Sequence, residues 1–223
     1  MSGVSAAGTP LELPAAVELA APADAPLVRL EPLSPGGIRE LAPVLRRPEV
    51  FASGYGGGLA ALPADEASFC AFMRGYLPPE GRPGVGFLVR LASGPGAGRA
   101  VGTSSFLNPA PAREEIEIGC TAYDPRRWGS VVNPATKLAL LGHAFEAGFH
   151  RIVLNVDGRN ERSLAAVLRL GATREGVLRR HQRRADGSWR DTVTHSILAS
   201  EWPRVRAGLL ERLRDAGPVS VGD

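Results

Sequence analysis

The succession that most constrains this chain runs from residue 114 to residue 157. It opens with EEIEIGCTAY at 114–123, a strand-like run. Leu138, Leu141, Phe145 and Phe149 then recur at spacings of three and four, so an amphipathic helix is expected over about 135–147, ending near Gly148. RIVLNVD at 151–157 reads as a second strand. A connection of this length is no hairpin, and two strands joined through a helix are most simply parallel neighbours.

The flanking segments extend that unit. VGFLVRLA at 85–92 and AVGTSSFL at 100–107, separated by Gly- and Pro-rich turns, form an antiparallel meander with 114–123. Before them, PLVRLEPL alternates as a half-buried strand. SPGGIRELAPVLRRP is a short helix started by Ser34 and Pro35 and stopped by Pro48, and PADEASFCAFMRGYL is a second helix. After residue 157, NERSLAAVLRLG is a helix with Asn160 as N-cap, Leu164, Val167 and Leu168 inward, and Gly171 as its stop. TREGVLRRHQRR and WRDTVTHSILA flank an Asp-Gly turn and so form a hairpin, and a last helix covers about 201–214. With 223 residues and 44% hydrophobic side chains, the chain can fill one substantial core. One domain is expected over 25–215, between a poorly ordered Ala/Pro-rich extension at 1–24 and a tail at 216–223.

Several chemistries are disfavoured by what is missing. The net charge of +3 is carried by arginine, since Lys137 is the only lysine. Cys70 and Cys120 form no C-x-x-C pair, and His143, His150, His181 and His195 have no ligand spacing, so neither a disulfide framework nor a metal site is expected. No basic n-region precedes an apolar run and nowhere do about 18 apolar residues follow one another, which suggests a reduced cytoplasmic protein without a membrane segment. There is no G-x-x-x-x-G-K-[ST], no G-x-G-x-x-G after the first strand, no G-x-S-x-G and no H-E-x-x-H.

What remains is RRWGSVVNPATKLALLGHAF at 126–145. Asn133 suits an N-cap and Pro134 a first helical residue. Capping does not explain Arg126, Arg127 and Gly129, which suggest an anion. A glycine lets amides approach a ligand, arginines match phosphate bidentately, and a helix start adds about 0.3–1 kcal/mol per exposed charge. An ordinary basic loop is the plain alternative. In the preceding strand Glu115, Glu117 and Gly119 share one face while Ile116, Ile118 and Cys120 take the other.

The order of elements, with EIGCTAYDPRRWGSVVNPATKLALLGHAFEAGFHRIVLNVDGRNERSLAAVLRLGATREGVLRRH at 117–181, resembles the GCN5-related N-acetyltransferase (GNAT) family, and within it the RimJ/RimL-like subgroup. The resemblance implies an α/β fold whose mixed, mostly antiparallel sheet is splayed at an acyl-CoA site and flanked by helices. It implies acetyl-CoA as co-substrate, with no metal. The coenzyme A pyrophosphate would lie on Arg126, Arg127, Trp128, Gly129, Ser130 and Val131 and on the helix start at Asn133, and the pantetheine arm beside Asn160. Val131 and Asn133 stand where the family commonly has small residues. Ser163 matches a serine near the thioester sulfur in some relatives.

The implied reaction is N-acetyl transfer to a primary amine, of a protein N-terminus or a small molecule, by direct attack. The amine must be neutral, yet an α-amino group has a pKa of about 7.7–8.0 and lysine about 10.4, so a base is needed. Glu117 is the candidate base, Glu115 the second, and Ser163 the proton donor to the leaving thiolate. The acceptor pocket would be built from Phe51 to Tyr76 and the final hairpin, and a homodimer is compatible with the resemblance. A reading of another class is a non-catalytic module that uses Arg174, Arg179, Arg180, Arg183, Arg184 and Arg190 to contact RNA or an acidic partner. With Trp189 the only stacking aromatic there, nucleic acid is not expected.

Overall fold

The protein, seen as a computed structural model, is described here over residues 19–21 and 27–215. Eight strands form one sheet in the order β1-β2-β3-β4-β5-β6-β8-β7. They are β1 (Leu19–Ala21), β2 (Val28–Pro32), β3 (Gly84–Leu91), β4 (Ala100–Ala110), β5 (Glu115–Tyr123), β6 (Arg151–Asp157), β7 (Thr173–Arg183) and β8 (Trp189–Leu198). All neighbours are antiparallel except β5 and β6, which run parallel as the intervening helix requires. Leu19–Ala21 lies inside the segment expected to be poorly ordered and instead pairs with β2; the rest of that extension and the tail lie outside the described residues.

Among the described residues six α-helices cover the two faces. On one, α1 (Pro35–Leu45), α2 (Pro48–Ala52) and α3 (Glu66–Tyr76) enclose a cluster of Leu41, Leu45, Phe51, Phe69 and Met73 against Leu88 of β3. On the other, α4 (Val132–Glu146), α5 (Glu161–Arg169) and α6 (Trp202–Asp215) pack Leu140, Leu141, Val167 and Leu209 against Ile116, Ile118 and Ile152. Local signals set these boundaries. The Ser34 hydroxyl accepts from the Gly37 amide at 3.1 Å, Asp65 and Ser68 form a reciprocal cap on α3, and the Asn160 side chain accepts from the Ser163 amide at 3.0 Å.

Three expectations are corrected. Helix α4 starts at Val132 and not behind Asn133, because the Ser130 hydroxyl takes the Val132 amide at 3.3 Å and Pro134, lacking an amide, is tolerated anywhere in a first turn. Leu168 points outward, 53% exposed, while Leu164, Val167 and Leu170 face the core. Cys120 leaves the Ile116 and Ile118 face. The pairing of β4 with β5 slips between Thr103 and Ser105, Cys120 adopts φ +48°, and the inserted residue returns Cys120 and Ala122 to the face of α1–α3.

Candidate active site

β5 and β6 hold together over three pairs only, Glu115 with Arg151, Ile116 with Ile152 and Glu117 with Val153. Beyond them, residues 118–123 and 154–157 become opposite walls of a cavity of about 410 Å³. The bulge at Cys120 is the local cause, since an extra residue bends its strand and raises the twist. Lys137 of α4 underpins that bulge. Its Nζ donates to Thr121 Oγ1 at 2.9 Å and to Ser104 Oγ at 3.4 Å, and those two hydroxyls lie 2.7 Å apart. Lys137 is 4% exposed, and burial pushes its amine down from 10.5 to about 7.

At one end of the cavity the turn before α4 supplies Arg127, Trp128, Gly129 and Ser130, and the first turn of α4 supplies Asn133. Gly129 has φ +76° with open space where a side chain would stand, and among the described residues the Gly129 and Val131 amides have no hydrogen-bond partner. Asn133 is held by the Tyr123 hydroxyl, which donates to its Oδ1 at 3.3 Å. Two of the residues singled out in the sequence are placed elsewhere. Arg126 turns to Asp124 in an ion pair of 2.6 Å, and Val131 is packed into the core. The structure thus brings together unpaired amides, a helix start and the cationic side chains of Arg127, Arg162, Arg169 and Arg212, a setting that fits a diphosphate.

The other wall comes from α5, where Asn160 and Ser163 line the cavity. Arg162 reaches across and lies 3.3 Å from the centre of the Trp128 ring, a cation–π contact between the two walls. Burial lowers the Arg162 guanidinium from its ordinary range.

Tyr55, Tyr76, Cys120 and Arg190 form the opposite end. Tyr55 and Tyr76 meet edge to face at 5.2 Å within an aromatic wall that includes Phe51 and Phe72. Burial raises the Cys120 thiol, so it is protonated at neutral pH, and no histidine stands beside it to change that. Glu117 lies at the edge of this end and does not line the cavity. Its Oε2 accepts from Asn108 Nδ2 at 3.2 Å, its carboxylate hangs over Gly119, and its charge is felt at Cys120. Glu115 is engaged by Arg113 at 2.9 Å and Arg151 at 2.8 Å, which hold its carboxyl below the usual range despite burial.

The arginines of the hairpin do not form one basic face. Arg184, 7% exposed, pairs with the equally buried Asp157 at 2.7 Å, Arg183 and Arg180 lie over Trp189 at 3.9 and 4.8 Å, and Arg190 faces the cavity. Tyr55, Tyr76 and Arg190 fall in the segments expected to build the acceptor pocket, although none was singled out for it, and sequence reasoning missed Lys137 and Arg162 as site residues. Only Lys137 carried a signal, as the single lysine on the apolar stripe of its helix.

A family model described as an acetyltransferase (GNAT) domain matches residues 28–173. Among solved structures, one from T. thermophilus named as an acetyltransferase is 37% identical, with 83% of this chain and 93% of that chain covered and a TM-score of 0.71. A GCN5-related N-acetyltransferase from Brucella melitensis superposes with a TM-score of 0.73 at 24% identity, covering 83% and 81% of the two chains. Mycobacterium smegmatis RimJ in complex with CoA-disulfide does so at 0.65 and 24%, covering 84% and 90%. No curated protein matches. With its splayed parallel pair, its open helix start and a family match spanning most of the chain, this protein belongs to the GNAT acetyltransferase family.

Proposed function

We propose that this chain transfers the acetyl group of acetyl-CoA to the nitrogen of a primary amine by direct attack. The observation that carries the reading is the divergence of β5 from β6, which opens a cleft between the cationic start of α4 and the strand that bears Glu117. Arg127, Trp128, Gly129 and Ser130 would hold the diphosphate, with Asn160 beside the pantetheine arm. The CoA-disulfide bound by RimJ is in keeping with this and with a RimJ/RimL-like place in the family.

In the reaction the amine gives a proton to Glu117, directly or through water. Its nitrogen forms a bond to the thioester carbonyl carbon, and the carbon–sulfur bond breaks. The departing thiolate, with a pKa near a free thiol's at about 8.5, takes a proton from the Ser163 hydroxyl, which lines the cavity and is reprotonated by the second proton that the acylated nitrogen sheds. Burial keeps the Cys120 thiol protonated and no histidine stands beside it among the described residues, which is in keeping with direct attack. Positioning in the cleft supplies much of the acceleration. Saturable thermal stabilisation by acetyl-CoA, together with thiol release that needs an added amine, is the expected result. A chain that gains no stability from acetyl-CoA and releases no thiol would refute it.

A further inference from the structure

We propose that the acceptor is an amine that also carries a carboxylate, bound by the guanidinium groups of Arg190 and Arg82 at the Tyr55–Tyr76–Cys120 end of the cleft. The inference rests on the transferase reading and adds the acceptor's chemical class. Arg190, the second residue of β8, lines the cavity, and its Nε has no hydrogen-bond partner among the described residues. Arg190 also makes no ion pair among the described residues, so its guanidinium, which lines the cavity, is free to meet an anionic group of a ligand there. The nearest carboxylate wall offers none. Asp157 feels the charge of Arg190, yet its Oδ1 accepts from Arg184 at 2.7 Å and from the Arg159 amide at 3.0 Å, and its Oδ2 accepts from Arg184 at 2.8 Å.

Arg82 approaches the same end from the segment before β3. Its guanidinium lies 5.1 Å from the centre of the Tyr76 ring, and it makes no ion pair with a carboxylate among the described residues. The charges of Arg82 and Arg190 both reach Tyr76 and Cys120, and that of Glu117 reaches Cys120 as well. One point in the cleft therefore sees two cations and one anion. A zwitterionic acceptor satisfies both sides, with its carboxylate on the arginines and its amine toward Glu117, where the proton must leave. A polyamine would meet two like charges.

Thiol release in matched pairs tests this. α-, β- and γ-amino acids are compared with their amides, a short peptide with an acidic first residue with its glutamine counterpart, and spermidine serves as the cation. Carboxylate-bearing amines should show kcat/KM about ten- to hundred-fold above their uncharged partners, the range of a charge-assisted hydrogen bond. Preference among free amino acids identifies a metabolite source, and preference among peptides identifies a protein N-terminus. Arg190→Gln should collapse the ratio toward one through KM, with Arg190→Lys restoring part of it, and Arg82→Gln gives a second reading should the first variant not fold. A wild-type chain that prefers amides or spermidine, or that binds CoA yet reacts with no carboxylate-bearing amine, overturns the anion assignment while leaving the transferase reading in place. Failure to bind CoA at all removes both.

Discussion

Replacing Lys137 by methionine isolates the energetic cost of burying an amine beneath the bulge. In the folded chain its pKa is about 7 against 10.5 in the open, and burial is the only cause of the change. The unfolded chain therefore binds more protons between those two values, so stability rises with pH across that window and is flat below it. At about 1.4 kcal/mol per pH unit, the lysine costs the fold about 4 kcal/mol at pH 7 and about 2 kcal/mol at pH 9. Methionine keeps the length and removes the charge, and Thr121 and Ser104 still satisfy each other at 2.7 Å. Losing the Lys137 hydrogen bonds to Thr121 and, more weakly, to Ser104 gives back only about 1–2 kcal/mol. Urea unfolding at pH 7, 8 and 9 should show Lys137→Met more stable at pH 7, with the gap closing by about 2 kcal/mol at pH 9. Parallel pH profiles for the two proteins would refute a buried, easily neutralised amine.

Three other outcomes are expected. Glu117→Gln should lower kcat about a hundredfold or more while acetyl-CoA still raises the melting temperature, and unchanged turnover removes Glu117 as the base. Asp157→Asn leaves the buried Arg184 charge unpaired and should destabilise by about 3 kcal/mol in chemical denaturation, with the double change to Asp157→Asn and Arg184→Met recovering much of it. Gly129→Val puts a β-branched residue at φ +76°, so calorimetry should find coenzyme A binding weakened about tenfold or more, with the circular dichroism spectrum of the folded chain retained.

The sheet's parallel pair was legible because periodicity changes from two to about four and back within 114–157, and β6 matches its run residue for residue. The start of α4 was misplaced by residues that cap equally well, since Ser130 and Asn133 both suit a helix entrance and only packing chooses between them. The bulge left no trace in EEIEIGCTAY, because a cysteine at positive φ is a tertiary choice, supported by the Ser104 hydroxyl of β4 and the Lys137 amine of α4, which both bond the neighbouring Thr121. The hairpin gave its turn but not its arginines' destinations, which depend on what lies opposite: an aspartate on β6, a tryptophan, or empty cavity. Loop residues and helix starts of the cofactor side are local features, and the acceptor end is assembled from segments more than a hundred residues apart, so no short motif announces it.

The tip of the β7–β8 hairpin is moored twice. Arg184 is tied to Asp157 of β6, and the Ala185 amide donates to the Gly57 carbonyl at 3.1 Å. The stretch before Arg190 and the stretch around Tyr55 are thus two halves of one wall, and neither can be exchanged with a relative's without cutting the lashing between them. A graft of acceptor choice onto this chain would have to carry both halves together, since a side chain at position 57 would press on the Ala185 amide that lashes them.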